Sequence, residues 1–218
     1  MGKYNTVIFD LDGTLLDTLE DLTDAVNEGL LEFGFPPRSL SEVSSFVGTG
    51  VRNLMGYAVP KGTSEEQILM CLERFKTHYE IHYRDKTKPY PGIMELLEAI
   101  KALGISIGVM SNKYEAVVKE LCDDYFPGLI NGIRGERKNV LRKPAPDGVN
   151  SLLAELGSQK SETIYIGDTE IDMKTGTNAD LFTVGVTWGF RNEKILRKNG
   201  GKKIIYQPKE LMRIIEEI

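Results

Sequence analysis

Phe9-Asp10-Leu11-Asp12-Gly13-Thr14-Leu15 sets two carboxylates two positions apart, directly after the apolar run Val7-Ile8-Phe9. That run reads as a short buried parallel strand, and Gly13-Thr14 as the loop leaving its carboxyl end. In open α/β sheets ligands gather beyond the carboxyl ends of the strands, so both acids stand where chemistry is done. Side chains spaced by two share one side of an extended backbone, and their like charges repel. A bridging cation or a retained proton relieves that repulsion, and either one implies a reactive site.

Outward from this stretch the pattern first turns helical. Leu19, Leu22, Val26 and Leu30 recur at helical spacing, with Thr18 and Asp21 as a candidate capping pair. Ser39 with Glu42 opens a second helix, and Thr63 with Glu66 another that carries Ile68, Leu72, Phe75 and Tyr79. Lys88-Pro89-Tyr90-Pro91-Gly92 then stops helix formation. From Ile93 helices and strands alternate, with strands expected at Ile105–Met110, near Leu129-Ile130, at Thr163–Ile166, Leu181–Val186 and Lys203–Ile205. Such alternation requires parallel pairing and right-handed crossovers. The expected architecture is α/β: a Rossmann-like parallel sheet core (1–15 and 86–218) with an inserted small α-helical cap (16–85). The insertion point, just after the first strand, places the cap over the carboxyl-end face as a lid.

Three later segments end at the same sheet edge. Ser111-Asn112 follows the second core strand and offers small donors suited to phosphate oxygens. Arg142-Lys143-Pro144-Ala145-Pro146 presents a lysine on a stiff backbone. Gly167-Asp168-Thr169-Glu170-Ile171-Asp172 adds a second acidic cluster. Hard carboxylate oxygens around an open site favour Mg²⁺. Each segment has a plainer reading alone: Asp172 as the cap of the helix it opens, Ser111-Asn112 as a helix start, Lys143 as a surface lysine. Four segments converging in order outweigh those readings.

Composition narrows the partners. The chain has 218 residues, 41% hydrophobic and 27% charged, with a formal charge of −5. No basic stripe suits a nucleic acid, and no apolar run approaches membrane-spanning length. Cys71 and Cys122 lack metal spacing and read as reduced, buried thiols of a cytoplasmic protein. Met1-Gly2-Lys3-Tyr4-Asn5-Thr6 formally fits an acylation pattern, which we read as an accidental match. His78 and His82, four apart, lack a third ligand and read as surface helix residues. Gly48-Thr49-Gly50 follows no strand and is not a dinucleotide fingerprint.

Taken together, Asp10-Leu11-Asp12-Gly13-Thr14, Ser111-Asn112, Lys143 and Gly167-Asp168 through Asp172 resemble the four motifs of the haloacid dehalogenase-like hydrolase superfamily. The resemblance spans essentially the whole chain and implies phosphate-ester hydrolysis. It implies Asp10 as nucleophile forming an aspartyl-phosphate, and Asp12 as general acid and base. It implies Mg²⁺ on Asp10, the Asp12 carbonyl and Asp168, with Asp172 in the outer shell. Ser111, Asn112 and Lys143 are then the phosphate-binding residues. Gly48, Thr49 and Gly50, with Arg52, match the substrate-specificity loop of capped members, although Arg52 also reads as an exposed helix charge. The cap runs Asp21–Asn27 and Phe46–Gly50 look most like phosphoglycolate phosphatases, departing at Thr49, where those enzymes typically carry Asn. The implied partner is a small phosphorylated metabolite, the chain being monomer or homodimer. A sugar phosphomutase or inorganic pyrophosphatase shares these motifs, and a phospho-accepting switch is the reading from another class.

Overall fold

The computed structural model describes residues 3–216, so Met1 and Gly2 of the acylation-like match lie outside the described residues. Strand β1 (Thr6–Phe9) is buried on both faces along its length, as an uninterrupted apolar run in a covered parallel sheet should be. The chain continues through β2 (Leu16–Asp17) into α1 (Leu19–Leu31), α2 (Leu40–Phe46), α3 (Val51–Ala58) and α4 (Glu65–His82), then leaves through β3 (Lys88–Pro89). Alternation follows: α5 (Ile93–Ala102), β4 (Ser106–Tyr114), α6 (Glu115–Tyr125), β5 (Gly132–Glu136) and α7 (Asp147–Leu156). A 3-10 turn at Lys160–Glu162 leads into β6 (Thr163–Gly167), α8 (Glu170–Asn178), β7 (Phe182–Val186), α9 (Glu193–Lys198), β8 (Lys203–Ile205) and α10 (Glu210–Glu216).

Six strands form one parallel sheet in the order β5-β4-β1-β6-β7-β8. The fold is therefore α/β with a Rossmann-like parallel sheet. The chain builds outward from β1 to β5, then returns to β1's other side with β6. Strand order reverses there, and the ends of β1, β4 and β6 lie side by side at that reversal, the usual place for a ligand. Beneath them Ile8, Met110, Val149, Leu152, Leu153 and Tyr165 form a buried cluster that fixes the strand ends.

The chain divides into two compact units, 1–16 with 89–218, and 17–88. In the helical unit α1 packs along α4. Gly29 permits the close approach, since a Cβ there would sit 2.7 Å from the Cys71 carbonyl oxygen. Ser39 and Glu42 form the expected capping box on α2. Both Cys71 and Cys122 are free and buried, and burial pushes the Cys122 thiol up to about 12. Among the described residues no helix is long and apolar enough to cross a membrane.

Several local expectations need correction. Thr18 makes no side-chain cap on α1, and Asp21 instead accepts from the Lys86 and Thr87 backbone amides. The capping box of α4 is Ser64 with Gln67, one residue beyond the expected Thr63–Glu66 pair. The fifth strand lies at Gly132–Glu136 rather than near Leu129-Ile130. Strand β4 does not stop at Met110. It runs through Ser111-Asn112 to Tyr114, with an irregularity in its pairing to β5 over that stretch. Ser111-Asn112 therefore cannot be a helix start, and Tyr114 precedes α6.

Candidate active site

Asp10 is the first residue beyond β1, and its amide still donates to the Ile166 carbonyl at 2.8 Å, so the ladder fixes its backbone. Its carboxylate meets the Lys143 ammonium, with Nζ 2.6 Å from Asp10 Oδ1. The same Nζ donates to Asp172 Oδ1 at 2.7 Å and to the Met110 carbonyl at 3.1 Å. Lys143 is 5% exposed, which excludes the surface-lysine reading. Its loop is held by Asn112, whose side-chain oxygen accepts from the Lys143 amide at 2.8 Å while its nitrogen donates to the Lys143 carbonyl at 3.1 Å. Asn112 thus acts first as a clasp on the lysine loop.

Asp168 follows β6 and is fully buried. Thr14 Oγ1 donates to its Oδ1 at 3.1 Å, and the Phe190 amide to its Oδ2 at 2.7 Å. Asp172 does two jobs with two oxygens. Its Oδ2 completes a capping box with Thr169 on α8, and its Oδ1 faces Lys143. The helix-cap reading is therefore correct but covers only half of the carboxylate. One oxygen from each of Asp10, Asp168 and Asp172 falls within 4.8 Å of the others. This is the only such group of possible metal ligands among the described residues; the His78 and His82 rings lie against each other at a tilt, and His82 pairs with Asp85.

The backbone crowds this cluster. A Cβ on Gly13, whose φ is +86°, would lie 2.4 Å from Asp168 Oδ2, and one on Gly167 would lie 2.2 Å from the Asp172 Cβ. A Cβ on Gly189 would also fall 2.4 Å from Asp168 Oδ2. At these three positions only main chain fits beside the acids.

Charge is unbalanced here. Three buried carboxylates cluster around one ammonium, which pairs with Asp10 and Asp172. Burial, then Asp172, push the Asp10 carboxyl up to about 7 despite the lowering pull of Lys143. Burial likewise raises Asp168 well above the carboxylate range, with Asp172 and Asp10 adding to it, against the Phe190 and Thr14 hydrogen bonds. Burial alone would lower Lys143, but Asp10 and Asp172 outweigh it and hold its pKa well above the ordinary value. Hard oxygen donors, packed close and short of positive charge, suit a small divalent cation.

Asp12 points elsewhere. Its Oδ1 accepts from Lys113 Nζ at 2.6 Å. Ser111 is buried at the end of the apolar part of β4, and its Oγ accepts from the Lys113 amide at 3.2 Å. Sequence pattern alone does not single out Lys113, although it directly continues Ser111-Asn112, nor Thr14, which lies within the first motif and holds Asp168. Gly48, Thr49, Gly50 and Arg52 belong to the helical unit: the first three form the turn from α2 into α3, where Gly48 and Gly50 take φ of +124° and +90°, and Arg52 lies in the first turn of α3. The Arg52 guanidinium pairs with Glu65. Trp188 Nε1 donates to the Thr14 carbonyl at 3.0 Å, tying the segment after β7 to the first motif.

Comparison with known proteins accords with this geometry. The family model described as haloacid dehalogenase-like hydrolase matches residues 7–186. A phosphoglycolate phosphatase of Aquifex aeolicus is 34% identical over 190 residues, covering 84% of this chain and 85% of that protein. One of Agrobacterium fabrum is 31% identical over 191 residues, covering 84% and 80%. A crystal structure from Lactobacillus delbrueckii subsp. bulgaricus superposes with a TM-score of 0.94 at 32% identity, covering 99% of this chain and 100% of that one. The chain belongs to the haloacid dehalogenase-like hydrolases.

Proposed function

We propose that this protein is a Mg²⁺-dependent phosphatase that hydrolyses a small phosphate monoester through a phosphorylated Asp10. The observation that carries the reading is the contact of Asp10 with Lys143 inside a cluster of buried acids that outnumber this one positive charge. The phosphoglycolate phosphatases among the relatives support a substrate of that kind, a short hydroxy-acid phosphate. Thr49 in the specificity loop leaves room for a related ester. The free, buried cysteines fit a cytoplasmic setting.

In this reading an Asp10 oxygen attacks phosphorus as the bond to the ester oxygen breaks. Asp12 gives its proton to the departing alkoxide. It then takes a proton from water, which attacks the phosphorus of the aspartyl-phosphate and frees both Asp10 and inorganic phosphate. A carboxylate and a phosphate dianion repel each other, so attack needs counter-charge. Lys143 supplies one unit, and Ser111 with the Asn112 backbone donates hydrogen bonds to phosphoryl oxygens. Asp10, the Asp12 carbonyl and Asp168 would hold Mg²⁺, with Asp172 as the outer-shell acid, and the ion would supply the remaining charge neutralisation. General acid help from Asp12 is worth on the order of 10²–10⁴ in rate for an alkoxide leaving group.

The test is Asp10→Asn assayed with a panel of phosphate esters, including phosphoglycolate, sugar phosphates and pyrophosphate. Release of inorganic phosphate from at least one small ester, dependent on Mg²⁺ and reduced by at least about 10⁴-fold in Asp10→Asn, is the expected result. Full activity in that variant, or transfer of phosphate between sugar positions in place of release, would overturn the reading.

A further inference from the structure

Two lysines are buried in the sheet unit, Lys143 and Lys113, and the phosphatase scheme employs only the first. Lys113 is 7% exposed, and its ammonium lies 2.6 Å from Asp12 Oδ1, where the two side chains are 6% and 14% exposed. Its position follows from the sheet. β4 runs beside β1 with Val109 opposite Phe9, and continuing both chains brings Lys113 level with the turn that carries Asp12. The extension of β4 past Met110 makes this possible, and the Lys113 amide is anchored in turn on Ser111 Oγ.

A buried ion pair is poor evidence of a stabilising role. Withdrawing two charges from water is costly, and apolar replacements of such pairs are often neutral or stabilising. A short contact to one carboxylate oxygen does, however, fix the plane of the carboxylate and so the direction of its second oxygen. In general acid catalysis that direction decides rate, because the proton has to travel along a short hydrogen bond to the leaving oxygen.

We propose that Lys113 is a positioning residue, whose ammonium holds Asp12 in the orientation from which it delivers the proton to the leaving group. The inference rests on the phosphatase reading above. Lys113 itself keeps all its protons: the proton passes from Asp12 to the alkoxide oxygen as the P–O bond breaks, and the ammonium only maintains its hydrogen bond. Its effect should therefore scale with how much a leaving group needs that proton. An alkoxide needs it strongly and p-nitrophenolate hardly at all.

The experiment compares kcat/KM for an alkyl phosphate and for p-nitrophenyl phosphate at saturating Mg²⁺, in wild type, Lys113→Met, Lys113→Arg, Asp12→Asn and the Lys113→Met/Asp12→Asn double variant. This parameter covers the steps up to departure of the leaving group and is blind to the later hydrolysis common to both esters. Lys113→Met should lose about 10²-fold on the alkyl ester and less than about threefold on the aryl ester. Inhibition by inorganic phosphate should change less than about twofold, because the phosphate site is intact. In the Asp12→Asn background the same substitution should add almost nothing, as expected for residues acting as one unit. Should Lys113→Met fail to fold, Lys113→Arg carries the test, since a planar guanidinium turns the carboxylate differently and should show the same alkyl-selective loss. Equal losses on both esters, or losses that multiply with those of Asp12→Asn, would overturn the proposal. If instead wild type cleaves neither ester, or Asp10→Asn retains activity, it is the phosphatase reading that fails.

Discussion

Two buried acids, one in each unit, are handled in opposite ways. Asp21 in the helical unit is 2% exposed, and it takes hydrogen bonds from the Lys86 and Thr87 amides and the Thr87 hydroxyl at 2.7–3.1 Å. Asp10 in the sheet unit is 6% exposed and faces Lys143 in the company of two more acids. Backbone donors bring no net charge, hold their positions permanently and leave the carboxylate content. An acid facing other acids stays short of counter-charge, which raises its pKa and leaves it ready to take up a cation or bond to phosphorus. Saturated burial builds structure, and unsatisfied burial builds reactivity.

The sharpest way to break this contrast is to remove the shared cation. Lys143→Met should cost about 3–5 kcal/mol in urea melts without metal, because the acids are left buried with no positive partner. Saturating Mg²⁺ should recover part of that loss, while phosphate release stays abolished. An unchanged melt would mean that the cluster is already neutral.

A second test uses protons. Asp10 is pushed up to about 7 from 3.8, so the native metal-free protein retains a proton that the unfolded chain has released. Its stability should therefore fall as pH rises between about 4 and 7, by up to about 4 kcal/mol, and level off above that. Asp168, raised by burial, adds in the same direction. Thermal melts with EDTA at pH 5 and pH 7.5 read the slope; saturating Mg²⁺ should flatten it, and Asp10→Asn should remove much of it. A metal-free protein that gains stability over this range would contradict the assignment.

The smallest effect belongs to the helical unit. Asp21→Asn exchanges an acceptor oxygen for a donor that faces donors, and should cost about 1–3 kcal/mol of stability. Activity per folded molecule should not change. Loss of turnover without loss of stability would show that Asp21 is more than a structural anchor.

What the sequence disclosed follows from how strongly each segment is determined locally. Val7–Phe9 and Thr163–Ile166 are buried on both faces, so their apolar runs announce them, and the acids that follow fall where the runs end. β5 has the sequence Gly-Ile-Arg-Gly-Glu at the sheet edge, with little intrinsic preference for a strand; pairing with β4 makes it one. Asp10, Lys143, Asp168 and Asp172 were legible because each sits beside a structural punctuation mark. Lys113 was not, because a lysine late in a strand reads as solvent-facing until β4 is seen to continue past Met110. The caps of α1 and α4 shifted for a related reason. Neighbouring polar residues compete for the same free amides, and tertiary partners such as Thr87 decide which of them wins.

The glycines beside the acids have one more consequence. At positions 13, 167 and 189 the walls of the acidic cluster are main chain, with no side chain left to trim and no room to add one. The clearance on those sides of the acids is consequently set by backbone geometry. Discrimination between a compact and a bulky divalent ion, which depends on cavity size, lies beyond the reach of point substitution along those walls.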